Sequence, residues 1–374
     1  MATAPTVSTL RDLSAFRASN GCAVSIYVDL HPSATPTIPE VETKFNAVLS
    51  EAEKLAEAQA DDRDCRLALR EDLARIREWW DDFDRDGARG VAIFASSAHD
   101  AFLVLPLPEG VGDSVRIGPT LYLAPLAGIA DSAGVLVAVV NRERGSVYRF
   151  DGGRLVEVAD ESEEQPGQHD QGGWSQARYQ RHIDHLVQQH LKAVGGELDA
   201  QARRGRLQIV VVGPEEMRGD FEAALSNEAR EAIVGWRTAE AHAGPNELLD
   251  VVRPLLAEAR ARADQETLAR FEEQRGRGER SAVGWRQVLE AASDARVETL
   301  LVEERAAERA WECPHCGRAS ADGGRCPLDG TTLEERDDAA DLAMHQTLAH
   351  GGAIVRVGSG ALGEAQGIGA ILRF

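Results

Sequence analysis

Two kinds of local structure meet in residues 165–181, which read Gln165-Pro166-Gly167-Gln168-His169-Asp170-Gln171-Gly172-Gly173-Trp174-Ser175-Gln176-Ala177-Arg178-Tyr179-Gln180-Arg181. The first part is punctuated by proline and glycine, which predicts a loop. The pattern then changes, and apolar residues recur on one helical face at Tyr179, Ile183, Leu186, Val187, Leu191 and Val194. We therefore expect a glycine-rich loop that leads into an amphipathic helix, with Ser175 as its N-cap and Gln176 in its first turn.

The segments on either side of this loop predict an α/β domain. Strand patterns precede it at 135–140, 146–150 and 155–158, and further strand patterns follow the helix at 207–212 and 233–237. A second helical pattern covers 247–263. The order β-β-β-loop-α-β-α-β-α defines a predicted middle domain over residues 131–274.

The loop resembles the catalytic loop of archaeal and eukaryotic class I release factors and their Pelota relatives, in which Pro-Gly-x-His-x-x-Gly-Gly-Gln-Ser precedes a helix that begins Ala-x-Arg-Phe-x-Arg. The residues in register with that pattern are Pro166, Gly167, His169, Gly172, Gly173, Ser175, Arg178, Tyr179 and Arg181. Trp174 stands where the family carries its catalytic glutamine. The spelling Gly173-Trp174-Ser175-Gln176 is similar to the loop of the peptidyl-tRNA hydrolases of ribosome-associated quality control. The resemblance implies an RNase H-like middle domain and action on the ribosome.

The chemistry that the resemblance implies is hydrolysis of the peptidyl-tRNA ester. Such a reaction needs a positioned water and donors for the developing oxyanion. We assign the positioning of water to Gln176, within the loop segment 165–176. Gly172, Gly173 and Ser175 form the scaffold, because glycines let the backbone approach a ligand closely.

A set of RNA-binding residues is predicted beside the catalytic loop. Arg178, Arg181 and His185 recur at i, i+3 and i+7, so they form one stripe that can meet RNA phosphates. His169 and Trp174 join this set from the loop. The implied partner is the ribosome, through rRNA and the acceptor end of tRNA, with a translational GTPase as a further partner that could deliver the protein.

Two functions follow from the same resemblance. The first is an enzyme, a peptidyl-tRNA hydrolase that rescues stalled or idle ribosomal complexes. The second is a non-catalytic hibernation factor that occupies the A site and stacks Trp174 on rRNA. A weaker alternative is an RNA-binding protein that acts away from the ribosome, since an RNase H-like fold permits several functions.

Domains are predicted on both sides of the middle one. Residues 1–130 show a strand pattern at 23–28, helical patterns at 39–60 and 65–82, and further strand patterns at 90–95, 101–105 and 121–124. Asp29 and His31 follow the first strand, where a turn is the commoner explanation of polar residues than a site. Residues 275–374 predict a three-layer α/β domain, with helices at 283–292 and 339–349 and strands at 297–302, 353–357 and 368–374.

A zinc-ribbon-like insertion at 311–330 interrupts the C-terminal domain. It contains Cys313-Pro314-His315-Cys316 and Cys326-Pro327-Leu328-Asp329. The two-residue spacing allows both ends of each segment to bind one ion, and zinc accepts thiolate, imidazole or carboxylate. Cys313, Cys316 and Cys326 with Asp329 therefore predict a structural zinc site, in which His315 is the alternative fourth ligand. The sequence 358–363, Gly-Ser-Gly-Ala-Leu-Gly, is not a dinucleotide site, because too little chain follows it.

Composition limits the class of protein. The chain has 374 residues, 43% hydrophobic residues, 28% charged residues and a net charge of -21. These values predict a folded protein of two or three domains and argue against indiscriminate binding of nucleic acid, so no DNA partner is expected. No targeting or membrane segment is recognisable, and three of five cysteines lie between 313 and 326, so a cytoplasmic location is expected.

Overall fold

The computed structural model describes most of the chain. The chain forms two compact units: the first contains residues 1–131 and 263–374, and the second contains residues 132–262. The described residues are 5–19, 22–33, 36–59, 63–84, 87–127, 129, 134–142, 145–151, 154–160, 174–203, 207–238, 243–304, 306 and 308–374. Side chains of residues 174–184 and of Leu186 are not part of this description. The mixed α/β class is confirmed. The three-domain boundaries stay a prediction.

The N-terminal part of the first unit contains an antiparallel sheet of order β3-β2-β1-β4. Its elements are α1 (Val7–Ser14), β1 (Ala23–Asp29), α2 (Ile38–Gln59), α3 (Arg63–Asp81), β2 (Gly90–Ser96), β3 (Ala101–Leu107) and β4 (Ser114–Gly118). Residues 24, 26 and 28 of β1 pack against α2 and α3. The opposite face carries Tyr27 and contacts Leu10 and Leu13 of α1. Period-2 alternation therefore buries both faces of β1.

One predicted strand of this part is wrong. Residues 121–123 have no regular secondary structure, a 3-10 helix begins at Ala124, and the fourth strand is β4. The N–H of Tyr122 donates to Ser25 Oγ at 3.0 Å, while those of Leu123 and Ala124 donate to Asp341 Oδ1 at 2.8 and 3.0 Å. Side chains therefore take the hydrogen bonds that a neighbouring strand would have supplied.

The second unit has the predicted order of elements. They are β5 (Gly134–Val140), β6 (Gly145–Asp151), β7 (Arg154–Asp160), α4 (Trp174–Ala202), β8 (Leu207–Val212), α5 (Arg218–Ala224), α6 (Asn227–Glu231), β9 (Ile233–Arg237) and α7 (Pro245–Arg277), which continues beyond this unit. The sheet order is β7-β6-β5-β8-β9, with an antiparallel meander β5-β6-β7 and parallel pairs β5-β8 and β8-β9. Helices α4 to α6 cover one face of the sheet and α7 covers the other. This is the RNase H-like arrangement that the sequence predicts.

The C-terminal part of the first unit is a three-layer structure. Its elements are β10 (Ser281–Val283), α8 (Gly284–Ser293), β11 (Val297–Glu303), β12 (Ala310–Glu312), β13 (Ala319–Ser320), β14 (Glu334–Arg336), α9 (Ala339–Ala349), β15 (Ala353–Val357) and β16 (Ile368–Leu372). The main sheet has the order β10-β16-β11-β15, with α8 and α9 on one face and the end of α7 on the other. Phe271 of α7 lies so close to Gly369 that a Cβ there would come within 2.5 Å of its ring. Glycine at 369 is therefore required for this packing.

Helix α9 joins the N-terminal and C-terminal parts of the first unit. Asp341 accepts the two N–H donors of residues 123 and 124, and His345 Nε2 lies 2.7 Å from the carbonyl oxygen of Leu121. His345 Nδ1 lies 3.3 Å from the carbonyl oxygen of Ser14. Leu348 adds an apolar contact to the core around Tyr27. These contacts explain why residues distant in sequence form one compact unit.

Candidate functional site

Helix α4 carries the predicted catalytic and RNA-binding positions of the middle domain. It begins at Trp174 and runs without interruption to Ala202. His169, Gly172 and Gly173 lie outside the described residues, as do the side chains of Trp174, Ser175, Gln176, Arg178 and Arg181. Ser175 is the second residue of the helix, so its prediction as N-cap is wrong. Gln176 lies in the first turn, as predicted.

The C-terminal half of α4 fastens the helix to the sheet. Leu191, Val194 and Leu198 are fully buried in the core that also contains Leu136 and Ile209. A Cβ at Gly145 of β6 would come within 2.5 Å of Val194, so the glycine permits this close approach. Position 185 is exposed, and the unbroken helix places 178, 181 and 185 on one face.

The position of Gln176 follows from the length of α4. Fifteen residues separate Gln176 from Leu191, which corresponds to about 22 Å along a helix that rises about 1.5 Å per residue. The backbone N–H groups of the first turn have no acceptor within the helix, and the positive end of the helix dipole lies there. The first turn of α4 can therefore present Gln176 to a ligand beside backbone donors.

A separate candidate metal centre lies beyond β12, in the insertion of the C-terminal part. One ligand atom from each of Cys313, Cys316, Cys326 and Asp329 can be chosen so that all four lie within 4.8 Å of one another. Cys316 and Cys326 have their sulfur atoms 3.5 Å apart, and Asp329 Oδ2 lies 3.6 Å from Cys313 Sγ. Three soft sulfur ligands and one carboxylate match the tetrahedral donor sets that hold zinc.

Two turns with the same hydrogen-bond pattern build this centre. In the first, Gly317 N donates to the carbonyl of Cys313, and Cys313 N donates to the carbonyl of Arg318. In the second, Gly330 N donates to the carbonyl of Cys326, and Cys326 N donates to the carbonyl of Thr331. Gly317 and Gly330 have φ values of 76° and 74°, which favour glycine. Asp329 thus occupies the position in the second turn that Cys316 occupies in the first.

His315 belongs to the surroundings of the centre and is not among its four converging residues. Its Nδ1 lies 2.9 Å from Asp329 Oδ2, and its side chain is 75% exposed. The N–H of Thr331, with this histidine as a second contributor, holds the pKa of Asp329 well below its usual range. Burial tends to raise the pKa of Cys313, but the N–H groups of Cys316 and His315 outweigh it and lower the pKa. Cys313 and Asp329 thus favour the anionic forms that a cation requires, whereas burial raises the pKa of Cys316 to about 11.

A buried carboxylate anchors the metal centre to its surroundings. Glu312 directly precedes Cys313, and its side chain is only 2% exposed. It accepts from Arg336 Nε at 3.0 Å and from Arg17 of the N-terminal part. Gln346 of α9 donates to the carbonyl of Gly317 at 2.7 Å. Sequence reasoning missed Glu312, because its partners lie far from it in the chain.

The middle unit and its flanks match a known family model. Residues 122–260 match the bacterial archaeo-eukaryotic release factor family 10. The peptide chain release factor subunit 1 of Methanopyrus kandleri is 28% identical over 224 residues, which are 56% of this chain and 54% of that protein. Over these residues the chain is similar to the release factors of the archaeo-eukaryotic type.

A second curated relative and one solved structure are also similar to this chain. The peptide chain release factor subunit 1 of Archaeoglobus fulgidus is 26% identical over 208 residues, which are 53% of this chain and 51% of that protein. The chain thus spans about half the length of these curated relatives. The crystal structure of Archaeoglobus fulgidus Pelota superposes on 76% of this chain and 79% of its own, with 15% identity and a TM-score of 0.34.

Three further features concern the glycine-rich segment 358–363, two cysteines of the N-terminal part and membrane helices. Leu362 N, in the glycine-rich segment 358–363, donates to Glu303 Oε1 at 2.8 Å, and a carboxylate there disfavours a pyrophosphate. Cys22 and Cys65 form a disulfide with Cα atoms 5.9 Å apart, which the sequence did not predict, since 43 positions separate them. No helix within the described ranges has the length and apolar character needed to span a membrane.

Proposed function

We propose that this release-factor-like chain acts on the ribosome and hydrolyses the ester bond of peptidyl-tRNA on stalled or idle complexes. The observation that carries the proposal is the family match over 122–260, the part that contains α4 and the loop before it. The relatives matched over about half their length are peptide chain release factors by name. Ribosomal RNA and the acceptor end of tRNA are the proposed partners, in the cytoplasm, with a translational GTPase for delivery.

Gln176 is the proposed water-positioning residue. A glutamine amide offers both a donor and an acceptor, so it can hold a water against a carbonyl without itself titrating. Its position in the first turn of α4 supports this role, because free N–H groups and the helix dipole favour a developing oxyanion there. Gly172, Gly173 and Ser175 are proposed as the surrounding scaffold.

The length of α4 supports access to a recessed substrate. Gln176 lies about 22 Å along the helix from Leu191, which is buried in the core of the unit, at a rise of about 1.5 Å per residue. A loop carried at that distance can enter a narrow site while the bulk of an acidic protein stays outside it. Arg178, Arg181 and His185 would then contact phosphates along the entry path, with His169 at the loop.

A non-catalytic ribosome-protection function is the second candidate. Trp174 stands where the related loops carry glutamine, and an indole can stack on an exposed base. In that case the same helix and arginines would serve docking alone. The two candidates share the ribosome as partner and differ only in whether peptide is released.

Zinc is the proposed ion of the metal centre. Cys313, Cys316, Cys326 and Asp329 would fill all four tetrahedral positions, so the ion would be structural and would have no open position for catalysis. When bound it would hold the two turns together. Glu312 and Gln346 would keep the same turns attached to the neighbouring elements.

Sedimentation with ribosomes tests the partner. The full chain should pellet with purified ribosomes, and the double variant Arg178→Glu/Arg181→Glu should bind at least about tenfold more weakly, because phosphate contacts dominate such affinities. The matched control is Arg218→Glu/Arg230→Glu, which changes one arginine in α5 and one in α6 of the same unit. This variant should bind ribosomes as tightly as the parent. Equal binding by both double variants would place the contact surface elsewhere.

A further inference from the structure

The two turns of the metal centre are attached to the rest of the first unit in different ways. We call residues 313–318 the first metal turn and residues 326–331 the second metal turn. Each is closed by the same two backbone hydrogen bonds within itself, so the two turns have the same local geometry. Only the contacts that leave each turn can therefore make one more firmly held than the other.

The first metal turn is held by neighbouring elements through residues that are not among the four proposed metal ligands. Gln346 of α9 donates to the carbonyl oxygen of Gly317 at 2.7 Å. Arg318 Nη1 lies 2.6 Å from Asp294 Oδ1, at the end of α8, and the arginine side chain is only 17% exposed. Glu312, directly before the turn, accepts from one arginine of the N-terminal part and from one of β14. These contacts fix the first metal turn whether or not an ion is bound.

The second metal turn has no such attachments among the described residues. Over that part of the chain, neither a hydrogen bond nor an ion pair joins it to α8, α9 or the N-terminal part. The nearest link to a helix is the exposed pair of Arg286 and Asp322, which lies before the turn. Its side-chain contacts with the first metal turn come from Cys326, whose sulfur lies 3.5 Å from that of Cys316, and from Asp329. The second metal turn is therefore held through two proposed metal ligands.

Apolar packing contributes little to the second metal turn. Leu328, near its tip, is 70% exposed. The buried cluster beside the turn consists of Cys313, Cys326 and Leu333, with the partly buried Trp311 against it. Two members of this cluster are proposed ligands, so its geometry depends on the ion as well. Fixing the backbone of a loop costs conformational entropy that so small a cluster does not offset.

We propose that the metal centre is a one-sided clamp: a bound ion orders the second metal turn, whereas the first metal turn is ordered without it. This inference rests on the proposed zinc centre and adds its consequence for the fold. Cys313 and Cys316 hold the ion from the attached turn, and Cys326 and Asp329 close on it from the opposite side. Removal of the ion frees the second metal turn and the tip that carries Leu328, and it leaves β12 paired with β13 and β14.

His315 is the positioning residue of this clamp. It belongs to the first metal turn, and its Nδ1 lies 2.9 Å from Asp329 Oδ2 in the second. Asp329 Oδ1 accepts the N–H of Thr331 at 2.9 Å. Because each carboxylate oxygen has two lone pairs, these hydrogen bonds leave a position for the ion and fix the orientation in which the carboxylate offers it.

Hydrogen exchange followed by mass spectrometry tests the clamp on the full chain, with zinc bound and after removal of zinc by EDTA. Removal should lower the protection of amides within 324–333 at least about tenfold, and added zinc should restore it, because their order depends on ion binding. Peptides that cover 313–319 should change by less than about threefold. In the zinc-free protein, Gln346→Ala should lower the protection of 313–319, because it removes one of the contacts that hold the first metal turn.

A competition titration with a chromogenic chelator tests the role of His315. His315→Ala should weaken zinc binding about tenfold or more, as expected for a group that orients a metal ligand. The side chain is 75% exposed, so its removal leaves the core unchanged. Thr332→Ala, at an exposed position directly after the second metal turn, is the matched control and should bind zinc as tightly as the parent.

Several results would overturn the proposal and can be told apart. Equal loss of protection in both turns would show that the ion orders the whole insertion, and unchanged protection of the second metal turn would show that the ion is not its clamp. Equal zinc affinity of His315→Ala and the parent would remove the positioning role of the histidine. These results leave the zinc centre itself standing, whereas a parent that takes up no zinc from solution would contradict both the centre and the clamp.

Discussion

The contact between Asp341 and residues 123–124 provides the sharpest test of how the first unit is assembled. In Asp341→Ala, two N–H donors of the buried segment lose an ionised acceptor that lies at 2.8 and 3.0 Å. Hydrogen bonds to a charged group contribute about 1.5–3 kcal/mol each. Burial raises the pKa of Asp341, so the ionised carboxylate already costs free energy in the fold and offsets part of this sum. We expect a net loss of roughly 2–3 kcal/mol.

Hydrogen exchange followed by mass spectrometry measures this loss locally. Peptides that cover residues 119–127 should lose protection by roughly 30- to 150-fold, the equivalent of that free energy. The matched control is Ser226→Ala, at the N-cap of α6 in the second unit, where the side chain accepts from Ala229 N at 3.2 Å. It should cost about 1 kcal/mol and affect mainly the first turn of α6. Equal effects of both variants on residues 119–127 would refute the bridging role of Asp341.

Three further predictions follow from particular residues. Elemental analysis of protein purified without chelator should find about one zinc per chain, and Asp329→Ala should bind zinc at least about tenfold more weakly. Finding no zinc in the purified protein would contradict the tetrahedral centre. Asp72 is buried, and burial is the main reason that its pKa is raised to about 6. The protonated carboxyl therefore contributes stability that is fully present below about pH 4 and is lost as the pH rises through about 6. From pH 5 to 8 the free energy of unfolding in urea should fall by about 1–2 kcal/mol for the wild type relative to Asp72→Asn, and an equal pH dependence of the two proteins would contradict the assignment. Leu198 of α4 is fully buried, so Leu198→Ala should destabilise the second unit by about 2–5 kcal/mol. The control Gln188→Ala, at an exposed position of the same helix, should not change stability. Equal melting temperatures of the two variants would contradict the packing of α4 described above.

Periodicity predicted the elements that pack through their own pattern. The spacing of apolar residues predicted strand β1, helices α2 to α4 and the order of helices and strands in the second unit, because each of these elements buries a regular face. The fourth strand was misplaced at 121–124 because Ser25 and Asp341, one of them more than 200 positions away, take the hydrogen bonds of those residues.

The metal centre and the contact between Arg89 and His31 show the same contrast. Asp329 was predictable because each turn repeats a Cys-Pro-x-x-Gly-type local pattern that sets its own geometry. The contact of Arg89 with His31 was not, since it depends on the strand pairing that brings two distant residues together. The disulfide of Cys22 and Cys65 likewise depends on how α3 packs against β1. A site built from short segments could therefore be predicted from the sequence, whereas contacts between distant segments could be found only in the structure.

Peptide release from stalled ribosomal complexes tests the central claim most directly. Complexes that carry labelled peptidyl-tRNA are incubated with the full chain, Gln176→Ala, or Trp174→Ala, and both released peptide and bound protein are measured. The account predicts release by the parent, with a rate at least about tenfold lower for Gln176→Ala at unchanged ribosome binding, the mark of a group that acts on the transition state. Ribosome binding without release by the parent would contradict hydrolysis and favour the protective function, whereas equal release by the parent and Gln176→Ala would contradict the role assigned to Gln176.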